Sequence, residues 1–217
     1  MSSIAKSVVG KSVTGLAAVT AAMFATAAVA VPLSGGETRV VITAEIEPLG
    51  LTPGTLGSAS VINADPLTVG FPISGGDIAA DLSSGQILHE GSGISLTDGV
   101  ELVSIENLII DLEQSSILAD VSFGDTSLID IAVFSFDLTT LGEDDDVTDL
   151  EDPDISLFLT ADAGGLFAEL FDVIDLSGEE IAVAATAPEF ADVDVPAPAA
   201  LALFGLGLGL LGLRRRR

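Results

Sequence analysis

Through the middle of the chain, apolar and polar residues alternate at every second position, in short runs broken by glycine, proline, asparagine and aspartate. That period belongs to the pleat of a half-buried strand, not to the 3.6-residue turn of a helix. The clearest run is 117–123, with Ile117, Ala119, Val121 and Phe123 on one face and Asp120 and Ser122 on the other. Strands are also expected over 39–46, 59–62, 67–71, 77–82, 86–89, 94–97, 100–105, 128–138 and 180–185. Turn chemistry separates them at Asn63-Ala-Asp-Pro66, Ser83-Ser-Gly85 and Gly91-Ser-Gly93, while residues 47–57 read as a loop. Asp98-Gly99 marks a hairpin between 94–97 and 100–105. One segment departs from the period: 160–171 groups Leu166, Phe167, Leu170 and Phe171 at helical spacing, with Asp162 where a negative charge suits the helix dipole. The pattern predicts an all-β fold, an antiparallel β-sandwich or barrel-like meander with one short helix.

The two ends are different. Lys6 and Lys11 precede an apolar stretch over 16–28, and Ala28-Val29-Ala30 places small residues at cleavage positions. This is the layout of a secretory signal peptide over 1–30, with Ala28 and Ala30 at the cut and Val31 the mature start. At the other end Val195-Pro196-Ala197-Pro198 leads into an uncharged run over 199–213 closed by Arg214, Arg215, Arg216 and Arg217. Fifteen helical residues reach about 22 Å, short of a hydrocarbon core of roughly 30 Å, so a crossing requires the flanking residues and snorkelling arginines. The arginines belong on the cytoplasmic side. This proline entry, Gly/Leu/Ala-rich helix and arginine terminus resemble the PEP-CTERM sorting tail of Gram-negative bacteria, with Ala197 standing where that family carries a glutamate. The resemblance implies membrane insertion through the C-terminal helix, processing by a membrane-embedded exosortase, and delivery to the cell surface or extracellular matrix. A plain C-terminal anchor is the alternative reading.

Between these segments lie a β-rich domain over 31–187 and an acidic, proline-bearing stalk over 188–194. All 33 acidic residues fall in this exported part, where Arg39 is the single basic residue. Carboxylates so far in excess have no partners and must face solvent or external cations. Nucleic acid is excluded as a partner, because binding it requires clustered lysine and arginine. The absence of cysteine rules out disulfides and thiolate chemistry. The apolar fraction, 48%, is too high for a disordered acidic tail.

Three motifs remain as candidate chemistry. His89 is the only histidine; beside Glu90 its imidazole suits a ligand or a titrating group, and the alternative is a structural residue facing a hairpin neighbour. On that alternative its replacement leaves folding largely intact. The run 142–154 carries eight carboxylates, and Asp144, Asp145, Asp146 and Asp149 are candidate Ca²⁺ ligands, although the spacing is neither an EF-hand nor a nonapeptide repeat. The alternative is a solvated acidic loop. Enzyme templates fail: there is no Gly-x-Ser-x-Gly elbow, and the exported part has no lysine for a P-loop or Ser-Lys dyad. Finally, Phe71-Pro-Ile-Ser-Gly-Gly76, Gly85-Gln-Ile-Leu-His-Glu-Gly-Ser-Gly-Ile-Ser-Leu96 and Leu159-Thr-Ala-Asp-Ala163 together resemble the β-rich HtaA-type modules of bacterial surface haem-uptake proteins. That family holds haem iron with a tyrosine backed by a histidine; His89 matches the histidine position, and this chain has no tyrosine. The expectation is an exported, non-catalytic acidic surface or matrix protein, structural or adhesive, without a required cofactor. An HtaA-like module binding haem or another apolar molecule is the alternative.

Overall fold

The computed structural model describes residues 30–44, 49–79, 82–142 and 145–192. Residues 1–29 of the signal segment, including Ala28, and the C-terminal tail, from Val195 to Arg217, lie outside the described residues, and so do both expected terminal helices. Among the described residues no helix is long and apolar enough to cross a membrane.

Among the described residues eleven strands form one antiparallel sheet. They are β1 (Ala30–Ile42), β2 (Thr52–Gly57), β3 (Ser60–Ala64), β4 (Leu67–Pro72), β5 (Gly75–Ala79), β6 (Gly85–Thr97), β7 (Leu102–Asp111), β8 (Ser116–Phe123), β9 (Thr126–Ser135), β10 (Ile155–Leu159) and β11 (Glu180–Phe190). A short 3₁₀ turn covers Leu138–Thr140, and the helix α1 spans Ala161–Phe171. From β5 to β11 each strand pairs with the next, and β11 then pairs with β1, which pairs with β5. The ring therefore closes, and the meander is a barrel. Closure leaves the ring without an open edge. The rest of β1 also carries β4, which in turn carries β3, and β2 is laid on the second half of β6.

The strands follow the alternation. In β8 Ile117, Ala119 and Val121 are buried, while Leu118 and Asp120 are half-exposed. The expected hairpin joins β6 to β7, with Thr97 opposite Leu102. Helix α1 is capped by Thr160, whose side chain accepts from the Ala163 backbone, and it ends at Asp172 in the left-handed region. Gly164 is tolerated in it because a Cβ there would stand 2.2 Å from Ser177 Oγ, so the helix lies close against the following loop.

Several boundaries differ from the sequence reading. The first strand starts at Ala30 rather than residue 39, bending at a register shift between Leu33 and Gly35. The expected loop over 47–57 contains β2; Pro53 is accommodated because β2 pairs with β6 alone. Gly91-Ser-Gly93 interrupts β6 not as a turn but as a bulge between His89 and Gly93. A Cβ on Gly93 would meet the Ile105 carbonyl oxygen at 2.2 Å, so only glycine allows the two strands to approach there. Finally, β11 runs to Phe190 and takes Pro188 and Glu189 into the sheet, opposite Gly36 and Gly35, where the acidic stalk was expected to begin.

Candidate functional site

The bulge in β6 turns both His89 and Ser92 inward, between Ile87 on one side and Ile94 on the other. His89 is 1% exposed and stands opposite Leu108 of the hairpin partner strand β7. Its Nε2 lies 2.9 Å from Thr38 Oγ1 on β1, and Thr38 Oγ1 lies 2.8 Å from Thr186 Oγ1 on β11. Phe71 meets the imidazole edge-on, with ring centroids 6.3 Å apart. The Ser92 hydroxyl donates to the His89 carbonyl at 2.9 Å. Nδ1 of His89 is buried without a hydrogen-bond partner. Burial disfavours the charged imidazole and pushes its pKa down to about 4, with the Leu108 backbone opposing the shift. A proton relay or metal ligand needs an accessible nitrogen; here one nitrogen is engaged and the other enclosed. His89 is therefore an enclosed, hydrogen-bonded residue of the core.

Two apolar cavities flank this polar layer and share no lining residue. The smaller, of about 100 Å³, lies beneath α1 among Ile42, Leu67, Ile94, Phe134, Phe167 and Ile181. The larger, of about 500 Å³, is lined by Ile78, Ile87, Ile110, Ile117, Phe136, Leu157 and Ala184, with Thr38 and Thr186 at one wall. Along β1, Thr38 faces the larger cavity and Ile42 the smaller; along β10, Leu157 and Leu159 divide in the same way. The hydroxyl–imidazole layer is thus a partition inside the barrel.

The acidic loop contributes Val147 and Thr148 to the larger cavity. Its carboxylates are used locally. Asp145 accepts from the Gly142 backbone at 2.6 Å, Asp146 from the backbone and hydroxyl of Thr148 at 2.9 and 2.7 Å, and Asp149 from the Glu151 backbone at 2.9 Å. The Thr148 hydroxyl, followed by its amide, holds the exposed Asp146 carboxyl below its ordinary pKa. Asp144 lies outside the described residues. Among the described residues no group of three or more His, Cys, Asp or Glu side chains is placed to hold a metal ion. Arg39 pins the loop: its guanidinium bonds Glu37 at 2.6 Å, reaches the Leu150 carbonyl at 3.5 Å and pairs with Glu151. The Thr186 amide closes the contact on the Val147 carbonyl at 2.8 Å. Asp111, at the β6–β7 end, is 5% exposed; burial works against its charge, but Gln86 and Gln114 outweigh it and hold the carboxyl below its ordinary value.

Sequence reasoning missed Thr38 and Thr186. Thr38 precedes the position where a strand was expected to start, and Thr186 follows the expected end of the last one.

Residues 194–217 match the PEP-CTERM protein-sorting motif. A tail of this kind marks an exported protein of the cell envelope, sorted by an exosortase. No curated protein matches the chain. In fold, the chain is similar to the C-terminal domain of HtaA from Corynebacterium glutamicum, with 14% identity and a TM-score of 0.51, covering 74% of this chain and 99% of that one. The HtaA-like β fold is thereby shown, and the fold alone. The described residues do not make the haem site implied by the resemblance. Tyrosine is absent, His89 lines neither cavity and has its Nε2 on Thr38, and Arg39 is already held by two glutamates rather than free to meet haem carboxylates.

Proposed function

We propose that the mature chain is a non-enzymatic structural or adhesive protein of the cell surface or extracellular matrix, delivered there through its C-terminal tail. The observation that carries this reading is the sorting motif over 194–217 following a closed barrel whose described residues are rich in aspartate and glutamate, with Arg39 the one lysine or arginine among them. A closed ring presents no strand edge of its own, and a surface of unpaired carboxylates keeps copies apart and recruits cations rather than polyanions. The exposed β3 edge, with Val61 and Ile62 52% and 45% exposed, offers a place for partner contact.

Mass spectrometry of the protein recovered from the native envelope and medium tests the first half. The expected species begins at Val31 and lacks the arginine-terminated tail. An intact polypeptide with both ends in the cytoplasm refutes it. Deleting the chain from its host tests the second half: surface attachment or matrix retention falls, and unchanged values of both remove the structural or adhesive role.

A further inference from the structure

The larger cavity has no part in a structural or adhesive role, and its chemistry stands independently of that reading. We propose that it binds a neutral long-chain amphiphile: an apolar body with a single hydroxyl-type head group, taken up from the membrane beside the tail before the tail is removed.

The body follows from the lining. At about 500 Å³ the cavity falls within the range of about 300–1,000 Å³ that holds small-molecule ligands. Its described walls are isoleucine, leucine, valine, phenylalanine, alanine and proline, and the polar side chains among them are threonines. No charged side chain lines it among the described residues, so a carboxylate or phosphate brought inside would be buried unpaired.

The head group follows from the hydrogen-bond chain. Thr38 Oγ1 stands between His89 Nε2 and Thr186 Oγ1, and Thr186 is the end of the series on the cavity wall. With Nε2 protonated, His89 donates to Thr38, Thr38 donates to Thr186, and the Thr186 hydrogen is left for a ligand. In the other tautomer the donors run the opposite way, and Thr186 presents an accepting lone pair. A ligand hydroxyl both donates and accepts, so it satisfies either arrangement. The source follows from chain length. Phe190 lines the cavity and is 50% exposed, and only four residues separate it from Val195 at the head of the sorting tail. At roughly 3.5 Å per residue, the cavity's Phe190 edge lies within about 20 Å of the tail's start.

The test uses the full chain in lipid nanodiscs with two photoreactive probes, diazirine-bearing hexadecanol and diazirine-bearing hexadecanoic acid, and maps cross-links by mass spectrometry. The alcohol is expected to label peptides containing Leu157 and Ala184, and excess unlabelled hexadecanol to suppress this. The acid is expected to label them at least about tenfold less, while both label the tail alike. Ala184→Phe fills the cavity and removes the internal label but not the tail label. If that variant does not fold, competition in the unmodified chain decides, together with Thr186→Val, which weakens labelling by the alcohol but not by a diazirine-bearing hexadecane. Labelling confined to the tail, absence of competition, equal labelling by the acid, or displacement by haemin would each overturn the assignment. None of these outcomes bears on where the chain is delivered.

Discussion

Burying a histidine in neutral form makes stability depend on pH in a direction that can be calculated. In the unfolded chain the imidazole titrates near 6.5; in the barrel its pKa is about 4. Between those values the unfolded state takes up a proton that the folded state refuses, so stability is lost as pH falls through this window and is fully present above it. At about 1.4 kcal/mol per unit, the loss amounts to about 3 kcal/mol. His89→Leu removes the titration but also removes the bond to Thr38, which costs about 1–3 kcal/mol at neutral pH. The variant should therefore be the less stable protein at pH 7.5. The deficit should shrink by about 3 kcal/mol, and can reverse in sign, by pH 4. Protonating the many surface carboxylates relieves self-repulsion in both chains and cancels in the difference. Urea unfolding of residues 30–192 followed by far-UV circular dichroism measures the effect, since the chain has neither tryptophan nor tyrosine to report by fluorescence. The single histidine also gives one set of imidazole resonances to titrate by NMR. A midpoint near 6.5 in the folded protein, or a deficit independent of pH, would refute the reasoning.

Gly93→Ala should destabilise by more than the propensity difference alone, about 2 kcal/mol or above, because its Cβ would stand 2.2 Å from the Ile105 carbonyl oxygen; urea midpoints check this. Arg39→Met should cost about 1 kcal/mol or less, given its half-exposed pairs, and should increase proteolysis within 142–154, which mapped limited digestion would reveal. Ca²⁺ and Mg²⁺ should raise the melting temperature equally, by screening carboxylates that are already turn acceptors; a Ca²⁺-selective gain would indicate a formed site instead.

What the sequence revealed was local. β8 alternates strictly, Asp98-Gly99 closes a two-strand hairpin, and Thr160 with its apolar spacing makes α1; each is decided within a dozen residues. What escaped was decided by partners far along the chain. β10 reads Ile-Ser-Leu-Phe-Leu with an exposed acidic loop before it, and its pairing on β9 and β11 carries no signal in those five residues. Ring closure sets β1 against β11, with Arg39 opposite Ala185, and nothing near either residue announces the other. The candidate site depends on that closure. Thr38 reaches His89 across 51 positions and Thr186 across 148, so the polar partition exists only when the first and last strands meet. His89 read as a ligand or as a structural residue of a hairpin, with Gly91 and Gly93 taken for a turn; the bulge they form instead is what sets it inward.

The same closure explains how so acidic a chain keeps its one exported arginine. On β1, Arg39 is exposed enough to reach Glu151 yet fixed by Glu37 in its own strand, while its predecessor Thr38 points the other way into the barrel. One strand position therefore ties the acidic loop down from outside, and the next anchors the polar partition within. The loop so held supplies Val147 to the larger cavity and its carbonyl to the Thr186 amide. Loosening the arginine should thus be felt at the hydroxyl that ends the His89 series. Photolabelling of the cavity in Arg39→Met should fall along with the protection of 142–154, and labelling that stays at the unmodified level while the loop is cut would separate the two.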